Sequence, residues 1–202
     1  GETAEVIVVD DELKPDVAIT KAKALVDRDK VDFVVGVVFS NVMNAVAKPL
    51  AESKTFLISA NAGPSTLAGE GCSPYVFSAS YQNDQNHEVL GKYAQDKGYK
   101  KVALLNMTDA FGQSEAKNFK ELAPKYGLEV VAAETMGVED TNVNAQLTKI
   151  RAANPDMIYN GAASRAAIIS FKQIKQLGIK TPLVVTQAAI SKAFFDAIGN
   201  PK

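Results

Sequence analysis

Short apolar runs rich in β-branched residues recur at a regular spacing, and this pattern constrains the fold more than any other feature of the sequence. The eight runs begin at Val6, Phe33, Phe56, Val76, Val102, Val130, Met157 and Leu183, so that successive starts lie 20 to 28 residues apart. Most of the intervening stretches have helical length and an amphipathic pattern. Strands that alternate with helices in this way indicate an α/β fold with a mostly parallel sheet.

Several positions predict where the helices begin and end. Three glycines follow amphipathic stretches and predict left-handed helix ends: Gly98, Gly127 and Gly178. Pro15 suits the first turn of a helix, and Asp109 and Ser164 are predicted N-caps.

The regular alternation is interrupted between the third and fourth runs. Residues 61–74 contain three glycines and two prolines and show no helical pattern, and the polar run SYQNDQNHE follows soon afterwards. This change of composition predicts a passage between two lobes near residues 81–84. We therefore expect one lobe within residues 1–82 and a second within residues 83–202, with one long loop in a single sheet as the alternative.

Composition narrows the classes of function. The chain has 22 Lys and Arg against 23 Asp and Glu, which gives a formal charge of −1 and no basic stripe for nucleic acid. Its apolar runs fall short of the roughly 20 residues that a membrane helix needs. The single cysteine, Cys72, excludes a disulfide within these residues.

Residues that commonly carry catalysis or bind metals are scarce. His87 is the only histidine, and its polar surroundings predict a solvent-facing position at the start of a helix. With one histidine and one cysteine, a zinc site of ordinary ligand type is excluded. The acidic group at residues 10–12 is interpreted as a solvated loop, and neither a phosphate loop nor a dinucleotide fingerprint is present. We expect no catalytic residue, metal or cofactor, which favours binding over catalysis.

The loops that follow the strands are the natural place for a ligand. In open parallel sheets, ligands bind beyond the carboxyl ends of the strands. The corresponding loops are rich in small and neutral polar residues, and they span residues 36–42, 59–66, 106–112, 160–165 and 186–190. Ser40 and Asn41 open a predicted helix, where free N–H groups and the helix dipole favour an oxygen-bearing ligand group. The alternative for either residue is a simple N-cap.

An ordered set of sequence motifs extends from about residue 5 to residue 198. The motifs are KPDVAITKAKALVDRDKVDFVVGVVFSNV, FLISANAGPST, SPYVFSASYQNDQ, KGYKKVALLNMTDAFGQS and QLTKIRAANPDMIYNGA. Each motif alone is weak, but the ordered set resembles the type I periplasmic substrate-binding proteins, in particular the branched-chain amino acid group that serves ABC importers.

The resemblance implies a two-lobed α/β fold in which helices flank a parallel sheet in each lobe. Family members have a strand and a long helix before the EVIVVDDE segment, and they continue beyond the last strand found here. We therefore expect this chain to be incomplete at both ends. A free-standing chain of these 202 residues should then expose apolar surface.

The resemblance also implies a set of ligand-binding residues. In the first lobe these are Ser40, Asn41, Ser59, Asn61 and Gly63, and in the second lobe they are Phe111, Ala163 and Gln187. Two positions depart from the family pattern, because Ala163 lies near the position of a common tyrosine and Gln187 occupies the position of the acid that pairs with the ligand's ammonium group. Without that acid, an amide or an aromatic carboxylate becomes as attractive a ligand as a branched-chain amino acid.

The resemblance implies a function in transport. The expected protein binds a small ligand between two lobes, performs no reaction, and delivers the ligand to an ABC permease in the membrane. It is expected in the periplasm or on the extracytoplasmic face, after removal of a signal peptide from the precursor. A ligand-sensing domain of the same fold, in a receptor or regulator, is the alternative.

Overall fold

The computed structural model describes residues 3–83 and 85–199. The chain divides into two compact units, Gly1–Gln82 and Asn83–Lys202. Both units are built of helices and parallel strands, as the spacing of the apolar runs predicted.

Unit 1 contains a parallel sheet of three strands in the order β1-β2-β3. Its elements are α1 (Pro15–Asp27), β1 (Phe33–Gly36), α2 (Ser40–Glu52), β2 (Phe56–Ser59) and β3 (Val76–Ser78), with a 3₁₀ turn at Ser65–Ala68. Helix α2 contacts both α1 and β2, and its side chains Val42, Met43 and Leu50 are buried. These side chains form the centre of the unit together with Leu57 of β2, which is also buried.

The other face of this sheet exposes large apolar side chains. The strand register aligns Phe33 with Phe56 and Ile58 with Phe77, so these residues share a face with Val35. Phe33, Val35, Phe56 and Phe77 are 45 to 60% exposed. The exposed apolar surface expected for the free-standing chain is therefore present.

The first apolar run does not form a strand, which makes one expectation from the spacing wrong. Residues 6–9 lie outside both sheets, and Val6 and Val8 are 77% and 87% exposed. A run of β-branched residues becomes a strand only where a neighbouring strand pairs with its backbone. Among the described residues, the sheet of unit 1 consists of β1, β2 and β3 and provides no partner for this segment.

Unit 2 contains a parallel sheet of four strands in the order β5-β4-β6-β7. Its elements are α3 (Gln85–Asp96), β4 (Lys101–Met107), α4 (Ala110–Leu122), β5 (Glu129–Met136), α5 (Asn144–Ala152), β6 (Met157–Gly161), α6 (Ser164–Gln176), β7 (Leu183–Val185) and α7 (Lys192–Ile198). The central strands β4 and β6 are almost wholly buried. Runs of apolar residues without alternation are typical of such strands, because helices cover both faces.

Most of the predicted helix boundaries are confirmed. Gly98, Gly127 and Gly178 have φ values of 74°, 66° and 63°, and Pro15 is the first residue of α1. Asp109 is the N-cap of α4, where its side chain accepts a hydrogen bond from the Gly112 N–H.

The N-cap predicted at Ser164 is wrong. Ala163 has the extended backbone of an N-cap residue, and Ser164 is the first residue of helix α6. The backbone N–H of Ala163 donates to Met107 Sδ at 3.2 Å, so the last residue before the helix is held against the end of β4.

Candidate ligand-binding site

The strands of unit 1 end at the same level, so the loops that follow them leave the sheet from one edge. Gly36 of β1 is in register with Ser59 of β2, which is in register with Ser78 of β3. Because all three strands are parallel, this is the carboxyl edge of the sheet, where ligands bind in open α/β folds.

Hydrogen bonds join the loop after β1 to the loop after β2. Asn61 Nδ2 donates to the Val38 carbonyl at 3.3 Å, and the Ala62 N–H donates to the Val37 carbonyl at 3.4 Å. Val37 has a φ of 67°, which is rare for a β-branched residue and costs about 1–3 kcal/mol. Such strain concentrates at functional sites.

Ser59 and Gly63 shape the loop after β2 from within. The buried hydroxyl of Ser59 donates to the Ala62 carbonyl at 2.6 Å, so it closes the turn. Gly63 lies against the backbone of Tyr81, where a Cβ would overlap the carbonyl oxygen. Small residues are thus needed here so that the chain can fold closely on itself.

Ser40 and Asn41 lie in the first turn of α2, at the same edge. Phe39 occupies the N-cap position and has no side-chain oxygen, so it cannot satisfy the first N–H groups of the helix. Ser40 is buried, and Asn41 is partly buried. Asn41 Oδ1 is enclosed and has no hydrogen-bond partner among the described residues. The start of this helix therefore offers backbone donors of the kind that bind carboxylates.

Helix α4 places Phe111 at the carboxyl edge of the unit 2 sheet. Phe111 is buried in the first turn, two residues after the N-cap Asp109. Gly112 allows the helix to approach β4, since a Cβ there would overlap the backbone of Met107. Burial raises the pKa of the Asp109 carboxyl, although the hydrogen bond from the Gly112 N–H opposes this shift. Asp109 is the acidic residue closest in sequence to the predicted site of this unit.

Ala163 and Gln187 occupy two further loops at the carboxyl ends of strands in unit 2. Ala163 is buried and contacts Met107 through its backbone N–H, so it lies beside the end of β4. Gln187 is exposed, and its Oε1 accepts hydrogen bonds from Asn86 Nδ2 at 3.0 Å and from Thr186 Oγ1 at 3.3 Å.

The predicted site residues thus gather at the carboxyl edge of each sheet. In unit 1, the loops that carry Asn41 and Asn61 are hydrogen-bonded to each other through Asn61 itself. In unit 2, the loops that carry Phe111 and Ala163 meet at Met107.

The position predicted for His87 is wrong. The side chain is fully buried in α3, within 3.3 Å of Glu115 Oε2 and edge-on to the ring of Tyr159. The sequence contained the signal, because His87, Leu90, Gly91 and Ala94 follow the i, i+3, i+4, i+7 pattern of a buried helix face. Polar neighbours on the other face of the helix concealed it.

Neither metal ligands nor membrane helices are found in the part of the chain that the structure describes. Within residues 3–83 and 85–199, no group of three or more His, Cys, Asp or Glu side chains could hold a metal ion. Over the same residues, no helix has the length and apolarity to cross a bilayer.

Two open grooves bordered by described residues contain none of the predicted site residues. A groove of about 470 Å³ in unit 1 is bordered by Asn44, Lys48 and Cys72, and one of about 430 Å³ in unit 2 by Gln113 and Lys120. Both lie along the flanks of helices. The strand-end loops remain the better candidate because their polar atoms and backbone donors converge.

Solved structures of binding proteins share this fold. An extracellular ligand-binding receptor from Rhodopseudomonas palustris HaA2 is 28% identical, with a TM-score of 0.88 over 95% of this chain and 54% of that chain. A solute-binding protein of an ABC transporter from R. palustris, in complex with benzoate, is 26% identical, with a TM-score of 0.88 over 94% of this chain and 52% of that chain. The α/β fold of helix-flanked parallel sheets, predicted from the sequence, is confirmed.

Sequence comparison gives the same result. The Leu/Ile/Val-binding protein homolog 3 of Brucella melitensis is 26% identical over 98% of this chain and 54% of its own length. The chain therefore spans about half the length of the curated relatives it matches, and these relatives are solute-binding proteins, not enzymes. The model of the periplasmic binding protein family matches residues 1–201. The resemblance found in the sequence is thus confirmed, and the chain belongs to the periplasmic binding protein family.

Proposed function

We propose that the protein is the solute-binding component of an ABC importer, in the periplasm or on the extracytoplasmic face of the membrane. The match of the chain to the periplasmic binding protein family carries this proposal. Its ligand is a small carboxylate or amide that is bound and released unchanged. Relatives named for Leu/Ile/Val binding and a relative in complex with benzoate support this ligand class.

Unit 1 receives the oxygen-bearing group of the ligand. The N-cap of α2 is Phe39, which offers no side-chain acceptor to the backbone donors at the start of the helix. These donors and the positive end of the helix dipole stabilise a negative charge. Ser40, Asn41 and Asn61 stand at the same edge and supply side-chain hydrogen bonds.

Unit 2 receives the remainder of the ligand and determines which charge is accepted. Phe111 supplies an aromatic surface and Ala163 leaves space near the end of β6, which together suit an apolar group. Gln187 is neutral, and an ammonium group buried without an anionic partner is costly. Aromatic acids and amides are therefore favoured over zwitterionic amino acids, although branched-chain amino acids remain the family default.

The proposed mechanism is hinge closure without chemistry. The ligand contacts strand-end loops of both units, and closure over it creates the form that a membrane permease recognises.

The experiment is a thermal-shift screen of the full-length protein against L-leucine, benzamide and benzoate. We expect benzoate or benzamide to raise the melting temperature more than L-leucine does. Failure of all three to raise it would contradict the proposal.

Two variants then test the location of the site. Ser40→Ala and Asn61→Ala should each weaken binding of the active probe by about tenfold, the loss expected for one hydrogen bond to a charged group. Ser53→Ala is the matched control, because Ser53 caps the other end of α2 by donating to the Leu50 carbonyl. Unchanged affinity in both site variants would reject this placement of the ligand.

A further inference from the structure

Four polar side chains are enclosed beneath the strand-end loops of unit 2. His87 of α3, Asn106 of β4, Glu115 of α4 and Tyr159 of β6 are at most 2% exposed. They form a buried polar cluster, defined here by these four residues, that lies between two helices and the two central strands of the sheet.

Glu115 is the centre of the buried polar cluster. Its Oε2 accepts a hydrogen bond from the Tyr159 hydroxyl and lies 3.3 Å from His87 Nε2. Two of these side chains also pack against Phe119, whose ring stacks on Tyr159 and meets His87 edge-on. The carboxyl group is thus hydrogen-bonded by Tyr159 of β6, and the ring of His87 of α3 lies beside the same oxygen.

The buried polar cluster reaches the loops that carry the predicted ligand contacts. Gly161 ends β6 two residues before Ala163, and a Cβ there would overlap Asn106 Oδ1 and lie 3.6 Å from Glu115 Cβ. Glu115 is also one helical turn after Phe111, on the same face of α4. One carboxyl group therefore lies behind both loops.

The free-energy cost of burying these polar groups argues against a purely stabilising role for the cluster. Burying a carboxyl group is costly, and apolar side chains of similar volume are often equally stable or more stable. Several of its polar atoms have no hydrogen-bond partner within the described part of the chain, namely Glu115 Oε1, Asn106 Oδ1 and both ring nitrogens of His87. What a directional network provides is a fixed geometry for the elements that it joins.

We propose that Glu115, hydrogen-bonded by Tyr159 and packed beside His87, is a positioning residue that fixes the start of α4 and the end of β6 and so sets the ligand-binding geometry of unit 2. The proposal rests on the proposed function only for its effect on ligand affinity. Its effect on the two loops stands independently of any ligand.

The test compares Tyr159→Phe and Glu115→Met with the wild type in the full-length protein. Both variants keep a side chain of similar length, and each removes the hydrogen bond between the Tyr159 hydroxyl and the Glu115 carboxyl group. We expect hydrogen exchange of the backbone amides in residues 107–112 and 161–164 to become about tenfold faster, as for the loss of one buried hydrogen bond. The dissociation constant of benzoate or L-leucine should rise by a similar factor at temperatures far below unfolding.

Asp156→Ala is the matched control. Asp156 Oδ2 accepts from the Lys100 and Lys101 N–H groups at the opposite edge of the same sheet. Loss of the Asp156 carboxylate should lower the stability of the protein without changing the hydrogen exchange of the loop amides or the affinity for benzoate or L-leucine. The double variant of Glu115 and Tyr159 should change the loops no more than the larger single change, because both remove one interaction.

Unchanged hydrogen exchange in both loops of the Glu115 and Tyr159 variants would overturn the proposal. Equally accelerated exchange of the same loop amides in Asp156→Ala would also overturn it, because it would show a global loss of stability. If the wild type binds neither probe, that result counts against the proposed function, while the exchange measurement still decides the role of Glu115.

Discussion

Gly63 lies directly against the carbonyl oxygen of Tyr81, so that no room remains for a Cβ between the two chain segments. This contact joins the loop after β2 to the segment after β3 and brings both to the carboxyl edge of the unit 1 sheet. The small residues that end the LISANAGPST stretch are therefore a requirement of backbone packing, and they leave Asn61 at the surface of the loop.

The contact predicts that Gly63→Ala is destabilising. The added methyl group must displace the Tyr81 backbone, and overpacking of this kind costs about 1–3 kcal/mol. Urea denaturation of the full-length protein measures this change in the free energy of unfolding. Gly69→Ala, in the same loop, is the matched control because its nearest neighbour atom would be 4.0 Å away, and equal losses in the two variants would contradict the account.

The raised pKa of Asp109 predicts that the contribution of this residue to stability decreases as pH rises. Burial raises the pKa of its carboxyl group in the folded state, so its stabilising contribution is complete below the unfolded pKa of about 3.9 and is lost as pH rises through the raised folded value. Asp109→Asn keeps the N-cap acceptor but cannot ionise, so its stability relative to the wild type should increase between pH 3 and pH 7. Thermal unfolding across this range is the measurement.

A control variant separates the cap from the charge of Asp109. Asp109→Ala loses the hydrogen bond to the Gly112 N–H and should cost about 1 kcal/mol relative to Asp109→Asn at every pH. The raised pKa of Asp109 would be contradicted if the difference in stability between Asp109→Asn and the wild type were the same at every pH.

The lowered pKa of Asp156 predicts the opposite pH dependence, with a contribution to stability that decreases as pH falls. Hydrogen bonds from the Lys101 and Lys100 N–H groups lower the pKa of its carboxyl group. Its contribution is therefore present above the unfolded pKa of about 3.9 and is lost as pH falls through the lowered folded value.

Asp156→Ala should accordingly destabilise the protein at pH 7 by about 1 kcal/mol, a low value because water screens the exposed carboxylate. The difference from the wild type should shrink towards pH 2. Chemical denaturation at both pH values is the measurement, and a loss that stays constant would show that packing, not charge, is responsible.

Gln187 predicts how ligand preference can be changed. Its Oε1 accepts from Asn86 Nδ2 at 3.0 Å, and a glutamate can accept the same hydrogen bond. Gln187→Glu should tighten binding of L-leucine and weaken binding of benzoate, each by about tenfold, since the new charge pairs with an ammonium group and repels a carboxylate. Gln176→Glu, at the end of α6, adds the same charge away from the strand ends and should leave both titrations unchanged.

The alternation of strands and helices within each unit follows from local sequence features, whereas the exceptions depend on tertiary contacts. The regular spacing predicts β4, β6 and the helices between them because wholly buried strands need uninterrupted apolar runs. The run at Val6 satisfies the same local rule but lacks a paired neighbour in the described sheet.

For the candidate site, too, the sequence predicts local features but not the contacts between residues that are distant in the chain. Strand-end loops can be located from the sequence because parallel strands all present their carboxyl ends at one edge. The burial of His87 depends on the partners Glu115 and Tyr159, which are distant in sequence. The helical pattern of α3 could have indicated burial, but not which residues the histidine would contact.

The most direct test of the central claim is calorimetric titration of the full-length protein with benzoate, benzamide and L-leucine, followed by mass spectrometry of the recovered ligand. We expect saturable binding of at least one of them at one molecule per chain, with the ligand recovered unchanged. Absence of saturable binding for all three, or recovery of a chemically altered ligand, would contradict it.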